Sequence, residues 1–353
     1  MSSETVVGRY RTVIRRRLTF IAVVLCVLVA GVVAALTTGP IELTSGQIVA
    51  ALLGDAANIP LRVVWRIRLP RIVAALGAGL GLAVAGAAIQ SVLRNPLGSP
   101  YTLGISQAAA FGAAFAIVVL GSGTSADSGS LIEVTNPYLT TTAAFLGSLV
   151  STGVILGIAK YKRATPETMV LTGIALAALF TAGTTALEFF ATNTELATLV
   201  FWKFGDVSGT TWKVNAVVWT VVLLGAAYFV RHAWSYNVLD AGDETAQSLG
   251  VNVDRVRMVG MVVASLVTAV VVSFFGIIGF VGLVVPHIVR RVIGGDERFL
   301  LPASCVTGAA LLLVADTVAR TVLSPVVLPV GIVTSFVGVP LFVYLILNGR
   351  EYW

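Results

Sequence analysis

Charged residues are scarce in this sequence. Only 11% of its 353 residues are Asp, Glu, Lys or Arg, whereas soluble domains carry about 25%. Hydrophobic residues make up 57%, and the mean hydropathy is +0.94. This composition excludes a soluble domain and indicates apolar helices of about 20 residues that cross a membrane. The net charge of +6 comes from short basic clusters between apolar runs, a pattern that does not indicate a nucleic-acid partner.

Residues that commonly carry chemistry are also rare. The two cysteines, Cys26 and Cys305, lie in apolar runs, where packing is their expected role. We assign neither to a disulfide or a metal, and His287 has no ligand-spaced neighbours that would make it a strong metal candidate. The sequence contains no Walker phosphate loop, HExxH or Ser-His-Asp grouping. We therefore expect no catalytic residue, no resident metal, no cofactor and no enzymatic activity on this chain.

The apolar runs predict an all-α polytopic membrane protein, a single bundle of about ten transmembrane helices with both termini inside. We divide it into a basic cytoplasmic N-terminus (1–17), a membrane domain (18–348) that includes a cytoplasmic segment (237–257), and a cytoplasmic C-terminus (349–353). The first run is longer than the apolar core of about 7–15 residues in a cleaved signal peptide. The eighth run is too short to cross alone unless it is tilted or broken. The predicted spans are 18–36, 72–93, 103–120, 139–159, 169–190, 212–230, 258–275, 276–289, 303–323 and 330–347.

Basic residues set the predicted orientation. Most of the 23 Lys and Arg residues fall in loops that this topology places inside, as the positive-inside rule requires. The exception is LRVVWRIRLPR before the second span, which brings Arg62, Arg66, Arg68 and Arg71 to the outside. These arginines fit two interpretations: anchoring at the membrane interface, or docking of an acidic partner or anionic substrate.

Prolines follow the second predicted span and lie within the eighth. After the second span, RNPLGSP places Asn95, Pro96 and Pro100 in a compact turn, because a proline disfavours helix in the residue before it. Such a turn either serves the fold alone or lines an inner gate. In the eighth run, Pro286 is predicted to break the helix beside His287. We take these five residues as gate or pore candidates.

The cytoplasmic segment 237–257 has the signals of a short capped helix. Asp243 and Glu244 fall in the first turn of a predicted helix over 243–249, where carboxylates complement the helix dipole. Gly250 follows at the position of a left-handed cap. Ala246 and Leu249, three residues apart, are predicted to share a small apolar face. The segment therefore either docks on another protein or is an ordinary loop with a helical turn.

Asp316 is the one acid well inside an apolar run, and Arg320 follows four residues later. This spacing places the two side chains on one helix face, where they can neutralise each other. An intramembrane acid is also a candidate for moving a proton or substrate. An ion-coupled transporter would need several such acids, and a membrane enzyme would need a clustered catalytic set.

Eight motifs in order resemble the FecCD family over about residues 41–348. They are RIRLPR; Gly86-x-x-x-Gln90 with RNPLGSP and LGIS; FWKFGD; GDETAQSLGV; IGFVGLVVPHIVR; GGDERFLLP; ADTVAR; and LPVGIVTSFVGVPLF. The resemblance implies a permease subunit of ABC importers for ferric siderophores, haem or cobalamin, located in the cell membrane. It also implies a second permease subunit, identical or paralogous, two cytoplasmic ATPase subunits that bind ATP and Mg, and an external substrate-binding protein.

The resemblance also implies residue roles. Residues that would face the ATPase are Asp243, Glu244, Ala246, Leu249 and Gly250. Arginines that would meet glutamates of the binding protein are Arg68, Arg71 and Arg320. Many relatives carry an acidic residue at the position of Val327, or of Val326 if the gap is shifted, and the commoner NPLA-x-P is replaced here by NPLGSP. For cargo, the resemblance favours a ferric siderophore over haem or cobalamin, and an ion-coupled secondary transporter is the alternative from a different class.

Overall fold

The computed structural model describes residues 3–39, 41–56, 58–122, 136–162, 165–324 and 326–347. Within these ranges every regular element is a helix. A π-helical segment, Val63–Arg68, joins the third and fourth α-helices. The α-helices are α1 Ser3–Thr37, α2 Ser45–Leu53, α3 Asn58–Arg62, α4 Leu69–Leu93, α5 Ile105–Val118, α6 Pro137–Lys162, α7 Pro166–Phe190, α8 Asn193–Lys203, α9 Trp212–Arg231, α10 Ala233–Asp240, α11 Asp243–Ser248, α12 Val253–Phe275, α13 Val281–Ile293, α14 Glu297–Thr321 and α15 Val330–Leu347.

The all-α polytopic fold is confirmed. In the described ranges, seven stretches are long and apolar enough to cross a membrane, and they lie in α1, α3–α4, α6, α7, α9, α12 and α14. The shorter helices α5, α13 and α15 overlap the remaining predicted spans. The prediction of about ten spans therefore corresponds to ten helices of unequal length. Which side each terminus occupies stays a prediction, and residues 123–135, between the third and fourth predicted spans, lie outside the described residues.

The eighth span begins later than predicted. Residues 276–280 are not helical, and α13 runs over Val281–Ile293. At about 1.5 Å per residue these 13 residues span about 20 Å, which is less than the hydrocarbon core of about 30 Å. Our prediction that Pro286 breaks the helix was wrong, because Pro286 lies inside α13. The helix is short because Gly276, whose φ is +71°, ends α12 and opens the irregular stretch.

The core is organised around α4, which is buried along nearly its whole length. Its glycines let other backbones come close: a Cβ on Gly79 would overlap the carbonyl oxygen of Gly308 in α14, and one on Gly86 would overlap that of Gly282 in α13. One turn after Gly86, the Gln90 amide donates to the Leu283 carbonyl at 3.2 Å. Small residues thus serve packing where lipid offers no hydrophobic drive between helices.

This packing predicts a difference between two glycine-to-alanine variants. Gly86→Ala should lower stability by about 1–3 kcal/mol, because the new methyl group overpacks the α4–α13 contact. Gly153→Ala in α6 is the matched control, since nothing lies within 4 Å of its Cβ position. Thermal unfolding in detergent measures both variants, and equal Tm values for the two would contradict the close approach.

Candidate functional site

Charged side chains gather at opposite ends of the bundle. One end, here the Asp243 end, holds α10, α11 and the start of α14. The other, here the Asp316 end, holds the last turns of α14 and the start of α4. The antiparallel contacts of α4 with α14 fix this arrangement, because Ser91 of α4 meets Glu297 while Arg71 meets Asp316.

The capped helix predicted in segment 237–257 is present. It is α11, with Asp243 and Glu244 in its first turn, and Gly250 follows with a φ of +81°. Glu244 and Gly250 are exposed. A further positive φ at Gly242, +109°, turns the chain from α10 into α11. Local signals therefore placed this helix to within one residue.

The predicted shared apolar face on α11 is wrong. Ala246 is fully buried and packs into the chain's own core, whereas Leu249 is 56% exposed. Leu249 lies after the last helical residue, Ser248, with φ −87° and ψ 8°. The two side chains therefore belong to different surfaces. Ala246 holds α11 in place, and Leu249 is available to a partner.

Asp243 forms ion pairs with other residues of the chain. Both of its oxygens accept hydrogen bonds from the Arg257 guanidinium at 2.8 Å, and Arg94 lies 3.6 Å away. The Arg257 side chain is only 3% exposed, so this pair joins α11 firmly to α12. The helix dipole and capping pattern gave no sign of a partner 14 residues away. A bidentate guanidinium–carboxylate pair adds geometric specificity to the energy of the ion pair.

The Asp316 end contains a buried ionic cluster. Asp316 is fully buried and accepts from Arg71 at 2.8 and 2.9 Å. It also pairs with Arg320 at 3.2 Å, so the predicted self-neutralisation along one helix is confirmed. Arg71 has a second carboxylate, Asp206, at 3.7 Å. Asp316 and Asp206 balance the charges of Arg71 and Arg320. The excess positive charge at this end therefore comes from Arg62, Arg66 and Arg68 of the same run as Arg71.

The three predicted docking arginines are buried by their own chain. Arg68, Arg71 and Arg320 are 3%, 9% and 6% exposed. Arg68 donates to the carbonyls of Leu36 and Ile41, and Arg320 lies near those of Ala35 and Thr38. Our expectation of a free basic surface at these positions needs this correction, although their docking role stays a prediction. Arg62 and Arg66 of the same run are exposed.

The gate candidates do not form one group. Arg94 ends α4 in the left-handed conformation with φ 46°, and Asn95 closes the following turn by accepting from the Leu97 amide at 2.9 Å. Pro96 is part of this half-buried turn. Pro286 is buried in α13, and His287 beside it is half-buried. Among these five candidates, Pro100 lines a cavity beside α8 and α15.

That cavity has a volume of about 500 Å³ and lies between the 99–106 stretch, the end of α8, the 277–283 stretch and α15. Its polar lining is rich in hydroxyl groups, from Ser99, Thr102, Ser106 and Ser335. Lys203 supplies a cation, which pairs with Glu188 at 2.9 Å. No sequence motif indicates this place for Lys203, because its neighbours in space come from distant segments.

A second network at the Asp243 end escaped the sequence prediction. Fully buried Glu297 accepts from Ser91 at 2.7 Å and from Arg290 at 3.1 Å. Beside it, hydrogen bonds from Arg298, and further ones from Asn237, hold the pKa of Asp296 below its usual range. The GGDERFLLP motif was the available signal, but its partners are distant in sequence.

Comparison with known proteins agrees with this architecture. The model of the FecCD transport family matches residues 26–348. A Methanocaldococcus jannaschii protein, named as a candidate ABC transporter permease, is 50% identical over 340 residues, 96% of this chain and 97% of that protein. The cobalamin import system permease of Halobacterium salinarum is 43% identical over 293 residues, with 82% and 74% covered. The hemin transport system permease of Yersinia pestis is 36% identical over 301 residues, with 85% and 88% covered.

A solved structure supports the same class. It shows an inward-facing conformation of a candidate metal-chelate-type ABC transporter, with a TM-score of 0.81 and 27% identity over 94% of this chain and 99% of that chain. The protein is therefore a multi-pass membrane permease of the ABC-importer class. Such permeases work in a membrane complex with ATPase and binding-protein partners and are not enzymes on their own. The chain belongs to the FecCD transport family.

Proposed function

We propose that this chain forms the passage through which an ABC importer moves a ferric siderophore across the cell membrane by alternating access. The observation behind the choice of cargo is the 500 Å³ cavity, whose largely apolar lining also carries hydroxyl groups and Lys203. Ferric siderophores present many oxygen atoms, which hydroxyl and ammonium groups bind by hydrogen bonds. The volume falls in the range of ligand pockets, and a second permease subunit would enlarge it.

Coupling to ATP hydrolysis is assigned to the Asp243 end. Glu244, Leu249 and Gly250 are exposed there and would contact a cytoplasmic ATPase. Asp243 and Ala246 hold α11 against the rest of the bundle. Asp243 does so through its ion pair with Arg257, and Ala246 through its buried methyl group. A push on Leu249 would therefore move α12 with α11. The ATP and Mg belong to the partner ATPase.

Docking of the external binding protein is assigned to the Asp316 end. Its positive excess favours an acidic partner, because complementary charge steers association. Arg62 and Arg66 are exposed for first contact. Arg68, Arg71 and Arg320 lie behind them, and they would reach partner carboxylates only if the contacts with Asp316 and the α1 carbonyls loosened. Docking would then itself disturb the ends of α1, α4 and α14.

The proposed cargo predicts which compounds compete for uptake. Vesicles that contain the complete importer, with binding protein outside and ATP inside, should accumulate radioactive iron from a ferric siderophore. Excess unlabelled ferric siderophore should suppress the signal, while equal concentrations of haem or cobalamin should not. Uptake of labelled haem or cobalamin with no uptake of the siderophore would overturn the choice of cargo but leave the importer class intact.

Cobalamin is the second candidate, because the Halobacterium salinarum relative named for cobalamin import is 43% identical over 293 residues. A relative from Bacillus subtilis named for Fe(3+)-citrate import is 34% identical over 335 residues, 94% of this chain and 96% of that protein. Both relatives are named for metal chelates. Labelled cobalamin and labelled ferric citrate, offered to the same vesicles, decide between these cargoes.

A further inference from the structure

Asn237 joins the cytoplasmic segment to the start of α14. Its side-chain oxygen accepts a hydrogen bond from the Glu297 backbone N–H at 2.7 Å. Its amide group donates to an Asp296 carboxylate oxygen at 3.0 Å. Asn237 lies in α10, three residues before α10 ends and six before α11 begins. One side chain therefore holds both the backbone and the capping carboxylate of α14.

Asp296 and Glu297, the two residues that Asn237 contacts, also bind side chains of three more helices. Asp296 pairs with Arg17 of α1 at 3.0 Å. Glu297 binds Ser91 of α4 at 2.7 Å and Arg290 of α13 at 3.1 Å. A fully buried carboxylate with a cation and a hydroxyl partner has little freedom to change position alone. The first turn of α14 should therefore move as a unit with whatever moves Asn237.

The far end of α14 carries the buried ionic cluster. From Glu297 to Asp316 the helix is continuous, and 19 residues at 1.5 Å each extend about 28 Å. Midway along it, the close approach of Gly308 to Gly79 keeps α14 in register with α4. Arg320 lies one turn beyond Asp316. A displacement of the α14 start is therefore transmitted to the carboxylate that holds Arg71.

We propose that Asn237 is a positioning residue that passes movement of α10 and α11 to α14, and that α14 relays it to the Asp316 cluster. The inference rests on the proposed function, because it assigns α11 to an ATPase and the Asp316 end to a binding protein. Linkage makes the coupling reciprocal for binding: docking of the binding protein and binding of the ATPase change each other's affinity by the same factor. Asn237 thereby governs how strongly the binding protein stimulates ATP turnover.

If Asn237 had a purely structural role, a different result would be expected. As a cap of α14, Asn237 would add stability and nothing more, and Asp296 already caps this helix by accepting from the Arg298 amide at 3.2 Å. The useful readout is therefore a ratio, ATP turnover with binding protein divided by turnover without it. A loss of stability alone does not change this ratio in the folded fraction.

The experiment uses the complete importer reconstituted in lipid vesicles. Asn237→Ala should lower the stimulation ratio, and the uptake per ATP, by about tenfold, within the usual range for coupled sites. Ser148→Ala is the control, because its hydroxyl also joins two helices, donating to the Ile105 carbonyl at 3.2 Å, but it lies away from α14. The control should keep the parent ratio.

A second variant keeps the relay testable if Asn237→Ala does not fold. Glu297→Gln keeps an oxygen for Ser91 but removes the charge that pairs with Arg290, and it should lower the ratio in the same direction. Parent-like ratios in both folded variants would overturn the relay while leaving the proposed function in place. A parent complex without ATP-dependent uptake would instead overturn the proposed function.

Discussion

Asp316→Leu is expected to destabilise the folded protein by about 3–5 kcal/mol, because removing one partner of a buried ion pair leaves uncompensated charge inside. The guanidinium groups of Arg71 and Arg320 would then face each other without their carboxylate. Both arginines are less than a tenth exposed, so water cannot compensate. Few other single substitutions in the described helices should lower the yield of folded protein as far.

Thermal unfolding and size-exclusion profiles in detergent measure this loss. The triple variant Asp316→Leu, Arg71→Met, Arg320→Met is the matched control, since it removes all three charges and keeps side-chain volume. Replacing a whole buried ionic group by apolar residues is often neutral for stability. Recovery of Tm in the triple variant identifies the loss as electrostatic. If Asp316→Leu alone unfolds at the parent Tm, the cluster does not stabilise the fold.

The same cluster changes how docking is tested. Arg71→Glu would place a second carboxylate against Asp316, so a loss of uptake would report misfolding rather than failed docking. We therefore expect Arg71→Glu to disturb folding as well as docking. Charge reversal at the exposed Arg62 and Arg66 is the cleaner test of an acidic partner, because it disturbs no buried ion pair.

Leu249→Asp should weaken binding of the cytoplasmic ATPase by about 2 kcal/mol or more, the scale of an interface hot spot. Leu249 is 56% exposed at the end of α11, and a carboxylate there would be desolvated against the partner. The fold should tolerate the change, because the leucine side chain contributes little to the core. Co-purification of the two subunits and coupled ATP turnover are the measurements.

The control for this variant is Leu53→Asp, which makes the same substitution at a leucine that is 73% exposed at the end of α2. It should leave ATPase binding unchanged, because α2 contacts the π-helical segment, at the Asp316 end. Equal retention of the ATPase by both variants would remove Leu249 from the proposed coupling surface.

Local features of the fold could be predicted from the sequence. Hydropathy found every long apolar helix, and the glycine and acid signals around α11 placed its start and its cap. The last span was predicted to the residue, as α15, Val330–Leu347. These features depend on residues within one or two turns, where dipole, capping and hydropathy act.

Features that depend on tertiary contacts were not predictable in this way. The pair of Arg71 with Asp316 joins residues 245 apart, and no periodicity encodes such a partner. The same holds for Asn237 with Glu297, 60 apart. Ala246 was assigned to a docking face because helix spacing alone does not show which neighbour covers it. Pro286 continues a helix, although proline usually disfavours one, because its place in α13 is set by packing against α4.

Transport by purified components tests the importer function most directly. Vesicles containing the permease, its ATPase and the binding protein should accumulate ferric siderophore against a gradient only when ATP is supplied. Vesicles that contain the permease by itself should show no uphill accumulation, even with a proton gradient. Uphill accumulation by the permease alone would contradict a passage driven by partner ATPases.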